Sequence, residues 1–280
     1  MQPAAPFGKD GSPAQERARD KGEMQASEIA ARARKRGRTP PTDITDPQYF
    51  HKVVDCQWAC PTHTPVPEYI RLIAQGRYTA AYMLNWESNV FPGILGRVCD
   101  RIQVGDEGNA KDPSKKNAEP VAICRLKRVA ADYKGEIDGL LPEIPAQKNG
   151  KRVALIGAGP ASLAVARDLM PLGYDITLYE RDPVPGGLMR TNIPSFRLPA
   201  SVLDEEVGRI LDFGVKANFG AEIKSMKKLL GEGYDAVFVG TGAPKGKDLE
   251  LTGRKEAAAN IHIGIDWLTS VAFGHVEKIG

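Results

Sequence analysis

The chain has 280 residues, of which 42% are hydrophobic and 26% are charged. This is an ordinary globular composition, and at about 150 residues per domain the length allows two domains. The formal net charge of +3 is too small to indicate a nucleic-acid partner, which usually needs a strongly basic surface. No apolar run approaches the roughly 20 residues of a membrane helix, and the polar start of the chain is unlike a secretory signal. We therefore expect a cytoplasmic protein whose four cysteines are thiols or metal ligands rather than disulfides.

The composition changes along the chain and predicts three regions. A polar extension covers residues 1–48, a helical region covers 49–148, and an α/β region covers 149–280. Within the extension, residues 25–36 are good helix formers and predict one short helix. The extension is either a solvated segment or an arm that wraps a partner, and both interpretations stay open at this point.

The helical region combines three predicted helices with turn-rich connections. Apolar residues recur at helical spacing over 67–74, 78–86 and 121–133. The glycines and prolines of 91–96 predict a turn, and the polar run 105–117 predicts a loop. All four cysteines lie before residue 125, so we expect any metal or cluster site in this region.

The α/β region alternates short apolar runs with helical stretches. A linker with two prolines and a glycine at 142–150 precedes it. Short apolar runs predict strands at 153–156, 175–179 and 236–239. Strands that alternate with helices are typical of a parallel sheet, so the fold class is α/β.

A glycine turn after the first of these strands carries the strongest functional signal. A buried strand leads into the turn, a helix follows it, and Glu180 closes the next strand. In dinucleotide-binding folds the first glycine permits the tight turn, the second lets the backbone approach a pyrophosphate, and the acid accepts ribose hydroxyls. An acid at that strand end disfavours the 2′-phosphate of NADP and fits FAD or NAD. The candidate contacts are Gly157, Ala158, Gly159, Pro160, Ala161, Ser162 and Glu180.

The segments that follow favour FAD over NAD. Gly186 and Gly187 offer a second flexible backbone stretch that can lie along a flavin, and a Gly-Thr-Gly turn follows the strand at 236–239. Loops of this length in α/β domains are usually functional. The further candidate flavin contacts are Arg181, Gly187, Leu188, Arg197, Thr241 and Gly242.

These motifs together resemble a family of iron–sulfur flavoproteins. Its members include the small subunit of glutamate synthase and the N-terminal region of dihydropyrimidine dehydrogenase. GAGPAS at 157–162, GGLM at 186–189, IPSFRLP at 193–199 and VFVGTGA at 237–243 are similar to its flavin-binding segments. Three segments are similar to its helical cluster domain: Cys60-Pro61, Gly96-Arg97-Val98-Cys99, and Pro120-Val121-Ala122-Ile123 with Leu126-Lys127-Arg128.

The resemblance implies a small helical domain of degenerate iron–sulfur type followed by a partial Rossmann-like FAD-binding domain. It also implies FAD, a flavin contact at Val98, and two 4Fe–4S clusters that pass electrons between NAD(P)H and a partner site.

The cysteines depart from the family pattern. Cys56, Cys60 and Cys99 match family positions, whereas Gln48 and His51 stand where the family has two further cysteines. Cys124 is not at a family ligand position. Cys56, Cys60, Cys99 and Cys124 could hold one 4Fe–4S cluster or one zinc ion, or they could be small buried residues without metal. The sequence leaves these three interpretations open.

The second departure concerns the nicotinamide site. The family follows its first FAD segment with a nicotinamide domain that has its own glycine fingerprint, and this sequence contains no second fingerprint. Either another oxidoreductase subunit supplies that domain, or the chain holds FAD without reacting with NAD(P)H itself, or the gene is truncated or split. We expect another oxidoreductase subunit among the partners. No acid–base or nucleophile constellation is present, so no catalytic side chain is predicted. The expected function is an FAD-binding electron-transfer subunit, and the alternative is a non-catalytic docking subunit that has lost part of its cofactors.

Overall fold

A computed structural model describes residues 57, 60–99 and 121–276. The chain divides into two compact units between Leu141 and Pro142. The predicted extension at 1–48, its helix at 25–36 and the loop at 105–117 lie outside the described residues. So do Gln48, His51 and Cys56.

The first unit is helical. Its elements are α1 (Val66–Ala74), α2 (Tyr78–Ser88), α3 (Pro92–Val98), α4 (Ile123–Asp132) and a short 3-10 turn at Asp138–Leu140. Gly76 joins α1 to α2 with a φ of +71°, a conformation that glycine adopts without strain. The fully buried Tyr69 on α1 donates a hydrogen bond from its hydroxyl to Ile123 O at 2.9 Å. The helices predicted over 67–74, 78–86 and 121–133 are confirmed.

The turn predicted at 91–96 is wrong, because Pro92–Val98 forms α3. Pro92 is at the start of the helix, where its missing N–H costs no hydrogen bond. Gly96 is a packing glycine rather than a turn glycine, since an added Cβ would come within 2.6 Å of the Arg128 backbone nitrogen on α4. Close packing against α4 therefore overrides the low helix propensity of glycine.

The second unit contains a four-stranded parallel sheet. Its strands are β1 (Arg152–Ile156), β2 (Asp175–Glu180), β3 (Lys216–Phe219) and β4 (Ala236–Val239), in the order β3-β2-β1-β4. Its helices are α5 (Pro160–Leu169), α6 (Leu188–Thr191), α7 (Ala200–Leu211), α8 (Met226–Leu230) and α9 (Gly264–Ala272), with 3-10 turns at Met170–Leu172 and Ala258–Asn260. The three predicted strands and the Rossmann-like α/β class are confirmed.

The central strands explain how the site is positioned. β1 lies between β2 and β4 and is buried from Val153 to Ile156, as expected for an interior strand of a parallel sheet. Because parallel strands end at the same edge, the residues after β1, the end of β2 and the residues after β4 meet there. No described helix is long and apolar enough to cross a membrane.

Candidate dinucleotide site and thiol cluster

The turn after β1 is closed tightly by the strands beside it. Gly157 has a φ of +92°, and a Cβ added there would lie 2.7 Å from Gly240 O. Its backbone N–H donates to Tyr179 O on β2 at 2.7 Å. The fold itself therefore requires glycine at position 157.

Gly159 differs from Gly157 because the protein leaves space beside it. A Cβ added at Gly159 would approach only Gly240 O, at an ordinary contact distance of 3.9 Å. Its φ of −80° is one that any residue adopts. Nothing in the described chain therefore requires glycine at 159, and the bare backbone faces a space that a ligand can approach. This is the role of the second glycine in a dinucleotide turn.

The N-terminus of α5 presents free backbone donors at this turn. Gly159 caps the helix without a side-chain hydrogen bond, and Pro160 is at its first position. The exposed Ala161 and the buried Ser162 follow in the first turn. Helix N-termini with unpaired N–H groups attract phosphate groups.

Ser162 takes the third position of the fingerprint and packs against the end of β4. Its hydroxyl is buried and has no hydrogen-bond partner among the described residues. A Cβ added at Gly240 would lie 2.2 Å from Ser162 Oγ. Gly240 therefore provides the room that the larger serine needs. The sequence analysis identified the Gly-Thr-Gly turn that Gly240 begins, but it missed the packing of Gly240 against Ser162.

Glu180 joins the glycine turn to the end of β2. Glu180 is only 7% exposed. One carboxylate oxygen accepts the Ala158 N–H at 2.6 Å and the other accepts the Asp182 N–H at 2.9 Å. A carboxylate has about four acceptor positions, so each oxygen keeps capacity for a ribose hydroxyl. Burial and the Glu180 charge raise the pKa of Asp182, and Arg181 opposes them.

A second glycine segment lies directly on the turn. Gly186 N–H donates to Ala158 O at 2.9 Å. Gly187 has a φ of +52°, and a Cβ there would lie 2.9 Å from Gly159 Cα. The structure thus brings together the two glycine segments that the sequence predicted as parts of one site.

Arg190 holds this second segment in place, and sequence reasoning missed it. Its Nε donates to Pro185 O at 2.5 Å, and its terminal nitrogen donates to Asp204 Oδ1 on α7 at 2.5 Å. The only sequence signal was an arginine shortly after the glycine pair. The partner Asp204 lies 14 residues away in sequence, so the contact could not be read from spacing.

None of the hydrogen bonds or close contacts described above connects the remaining predicted flavin contacts to the glycine turn. Arg181 is exposed and lies 3.6 Å from Asp182. Leu188, Arg197, Thr241 and Gly242 are exposed, and Val98 is half-buried at the end of α3 in the first unit. Their contact with a flavin stays a prediction.

The first unit places Cys60 and Cys99 near enough to Cys124 for both to raise the pKa of its thiol, and we call these three residues the thiol cluster. Cys124, on α4, interacts electrostatically with both Cys99 and Cys60. Burial, the Cys99 charge and a hydrogen bond to Cys99 raise the pKa of Cys124 to about 12, with Lys127 opposing them. Burial also raises the pKa of Cys60, but hydrogen bonds with Thr62 and Thr64 outweigh it and lower that pKa from 9.0 to about 7.

The donor set suits an iron–sulfur cluster. Within 57, 60–99 and 121–276, no group of three or more Cys, His, Asp or Glu side chains is arranged to hold a single metal ion. Thiolates are the usual ligands of a 4Fe–4S cluster. Cys60, Cys99 and Cys124 therefore fit a cluster by donor chemistry, and the fourth candidate, Cys56, lies outside the described residues.

Two family models match the chain, one in each unit. Residues 50–138 match dihydropyrimidine dehydrogenase domain II, 4Fe-4S cluster. Residues 155–230 match an NAD(P)-binding Rossmann-like domain. The first match contains the thiol cluster, and the second contains the glycine turn and Glu180.

Several curated proteins are similar to most of this chain. It is 36% identical over 216 residues to the NAD-dependent dihydropyrimidine dehydrogenase subunit PreT homolog of Salmonella typhi, covering 76% of this chain and 50% of that protein. It is 32% identical over 217 residues to the glutamate synthase (NADPH) small chain of Azospirillum brasilense, covering 77% and 44%. It is 32% identical over 236 residues to the NADP(+)-dependent formate dehydrogenase subunit beta of Moorella thermoacetica, covering 76% and 33%.

The chain spans half or less of the length of these relatives. Both matched regions occur in the order that the sequence motifs predicted, with the cluster domain before the Rossmann-like domain. The chain belongs to the iron–sulfur oxidoreductase family that includes the small chain of glutamate synthase and the dihydropyrimidine dehydrogenase subunit PreT.

Proposed function

We propose that the chain is an FAD-binding electron-transfer subunit of a multi-subunit oxidoreductase. The observation that carries this proposal is the open space beside Gly159, next to the free N-terminus of α5. The fold needs glycine at 157 but not at 159, so a ligand that approaches the backbone explains the second glycine. A pyrophosphate has the charge and the size that such a turn binds.

The acid at the end of β2 selects among dinucleotides. Glu180 is positioned by two backbone N–H groups and offers its remaining acceptor capacity to ribose hydroxyls. A 2′-phosphate at that place would meet a carboxylate of like charge, which disfavours NADP. The glycine segment at 186–187 extends the surface beyond the turn and supports the longer contact that FAD requires.

The thiol cluster is the proposed second redox site. Cys56, Cys60, Cys99 and Cys124 would hold one 4Fe–4S cluster. A bound flavin exchanges electrons in pairs or singly, and a cluster accepts them one at a time. The chain itself binds and orients these groups, and the proposal assigns no proton transfer to its side chains.

The proposed partners are other oxidoreductase subunits. Relatives of this chain are named as subunits of dihydropyrimidine dehydrogenase and formate dehydrogenase and as a small chain of glutamate synthase. We infer that one partner supplies a nicotinamide-binding domain. A cytoplasmic location stays a prediction.

A docking subunit without electron transfer is the second candidate. Gln48 and His51 stand where the family pattern has cysteines, which favours a loss of cluster ligands. The open glycine turn opposes this candidate, because a docking subunit has no need for unused space beside Gly159.

Gly159→Ala tests the proposal directly. FAD, NAD+ and NADP+ are each titrated into the purified chain, and Gly208→Ala is the control because a Cβ at Gly208 meets nothing within 4 Å and one at Gly159 meets only an ordinary contact at 3.9 Å. We expect FAD to bind most tightly and Gly159→Ala to weaken its binding while both variants stay folded at the temperature of the titration. Equal FAD affinity in both variants, or no binding by the wild type, would overturn the proposed flavin site.

A further inference from the structure

Lys127 is a buried cation without an anionic partner in the described part of the chain. Only 6% of the residue is exposed. The neighbouring arginines are paired, since Arg97 lies 2.6 Å and Arg128 lies 3.1 Å from Asp132. The Lys127 ammonium forms no such ion pair with residues 57, 60–99 or 121–276. A buried charge is stable only when an opposite charge or several hydrogen bonds compensate it.

Lys127 places a positive charge near Cys124 of the thiol cluster. Lys127 follows Cys124 by three residues on α4, so the two side chains lie on the same face of the helix. Both are buried. The positive charge favours the thiolate of Cys124, whereas burial and Cys99 oppose it. The side chain is therefore placed to compensate a negative charge that the neutral Cys124 thiol beside it does not provide.

We propose that Lys127 is the counter-charge of an anionic metal–thiolate centre at Cys60, Cys99 and Cys124, and that it raises the reduction potential of that centre. This inference rests on the cluster in the proposed function. The three thiolates already make an oxidised 4Fe–4S centre anionic, and reduction adds one further negative charge. A nearby cation stabilises the reduced form more than the oxidised form, so it raises the potential. Lys127 acts on the centre through space and is not one of its ligands.

The test compares reduction potentials of the full chain after anaerobic loading with iron and sulfide. Lys127→Gln removes the charge and keeps the length of the side chain, Lys127→Arg keeps the charge, and Arg125→Gln removes an exposed charge on the same helix. We expect Lys127→Gln to shift the midpoint potential to more negative values. Lys127→Arg and Arg125→Gln should stay close to the wild type.

A second measurement reports on Lys127 without the cluster. In the metal-free chain the buried ammonium is uncompensated, so Lys127→Met should raise the thermal unfolding midpoint. In the loaded chain the same substitution removes a compensating charge, so the gain should shrink or reverse. A metal-free Lys127→Met chain that is no more stable than the wild type would overturn the inference.

The outcomes separate this inference from the function on which it rests. A wild-type chain that takes up no iron would refute the proposed cluster and this inference with it. A wild-type chain that loads with iron, while a fully loaded Lys127→Gln chain has the same midpoint potential, would refute the role of Lys127 alone.

Discussion

Replacing Glu180 should damage both the fold of the glycine turn and the binding of a dinucleotide. In Glu180→Ala the Ala158 and Asp182 N–H groups lose the carboxylate that now lies 2.6 Å and 2.9 Å from them. A hydrogen bond to a charged group contributes about 1.5–3 kcal/mol, so losing both costs at most about 3–6 kcal/mol. The Ala158 residue is fully buried, so water cannot readily replace its lost partner.

Loss of the ribose contact adds a binding effect to this stability effect. One charge-assisted hydrogen bond of about 1.5–3 kcal/mol corresponds to a roughly 10- to 150-fold weaker affinity for FAD. Because the stability loss is a large part of a typical total of about 5–15 kcal/mol, Glu180→Gln provides a milder variant. Its amide oxygen can still accept one N–H, so about half of the stability loss is expected.

Denaturant unfolding and FAD titration measure the two effects. Glu222→Ala is the matched control, since Glu222 is exposed and only pairs with Lys224 at 3.5 Å. Exposed pairs contribute about 0–1 kcal/mol. We expect the unfolding midpoint to fall in the order wild type, Glu222→Ala, Glu180→Gln, Glu180→Ala. If Glu180→Ala and Glu222→Ala unfold at the same midpoint and bind FAD equally, the reasoning about this carboxylate is refuted.

Four further predictions concern the glycine segment, its arginine and the thiols. Gly187→Ala should lower the unfolding midpoint, because Gly187 has a φ of +52° and an added Cβ would lie 2.9 Å from Gly159 Cα. The control Gly208→Ala in α7 should not lower the midpoint, and equal midpoints for the two variants would contradict the prediction. Arg190→Gln should speed hydrogen exchange at Gly186, because the bonds to Pro185 O and Asp204 are lost, and unchanged exchange would remove the assigned role. In the metal-free chain, Cys60 should react with iodoacetamide at neutral pH much faster than Cys124, since their pKa values are about 7 and about 12. Folding lowers the Cys60 pKa from 9.0 to about 7, so the Cys60 thiolate contributes fully to the free energy of unfolding above pH 9, and this contribution is lost as the pH falls through 7. A free energy of unfolding that does not change over this range would contradict the pKa shift.

The strands that could be predicted are those with continuous apolar sequence. β1 and β4 are short apolar runs, and the alternately buried β2 ends at the expected acid. β3 was not predicted, because KANF is only four residues long and the strand is mostly exposed at the sheet edge. α3 was missed because local propensity favours a turn at Pro92, Gly93 and Gly96. Its helix depends on packing against α4, which no local pattern reveals.

The site could be predicted as far as its local motif extends. Gly157, Gly159 and Glu180 follow from a strand, a turn and an acid at a fixed distance, and the structure brings the three together. The packing role of Gly240 and the contact of Arg190 could not be found in this way, since Gly240 packs against Ser162 and Arg190 bonds to Asp204 on another helix. The buried state of Lys127 also depends on tertiary packing. From sequence alone it is equally consistent with a solvated helix end.

The absorption spectrum of the anaerobically purified chain, recorded with its flavin, iron and sulfide content, tests the central claim most directly. We predict flavin bands together with a broad iron–sulfur shoulder, and a flavin identified as FAD after release from the protein. Both signals should bleach on stepwise reduction. A colourless protein that contains no iron and takes up no added FAD would contradict the account of this chain as an electron-transfer subunit.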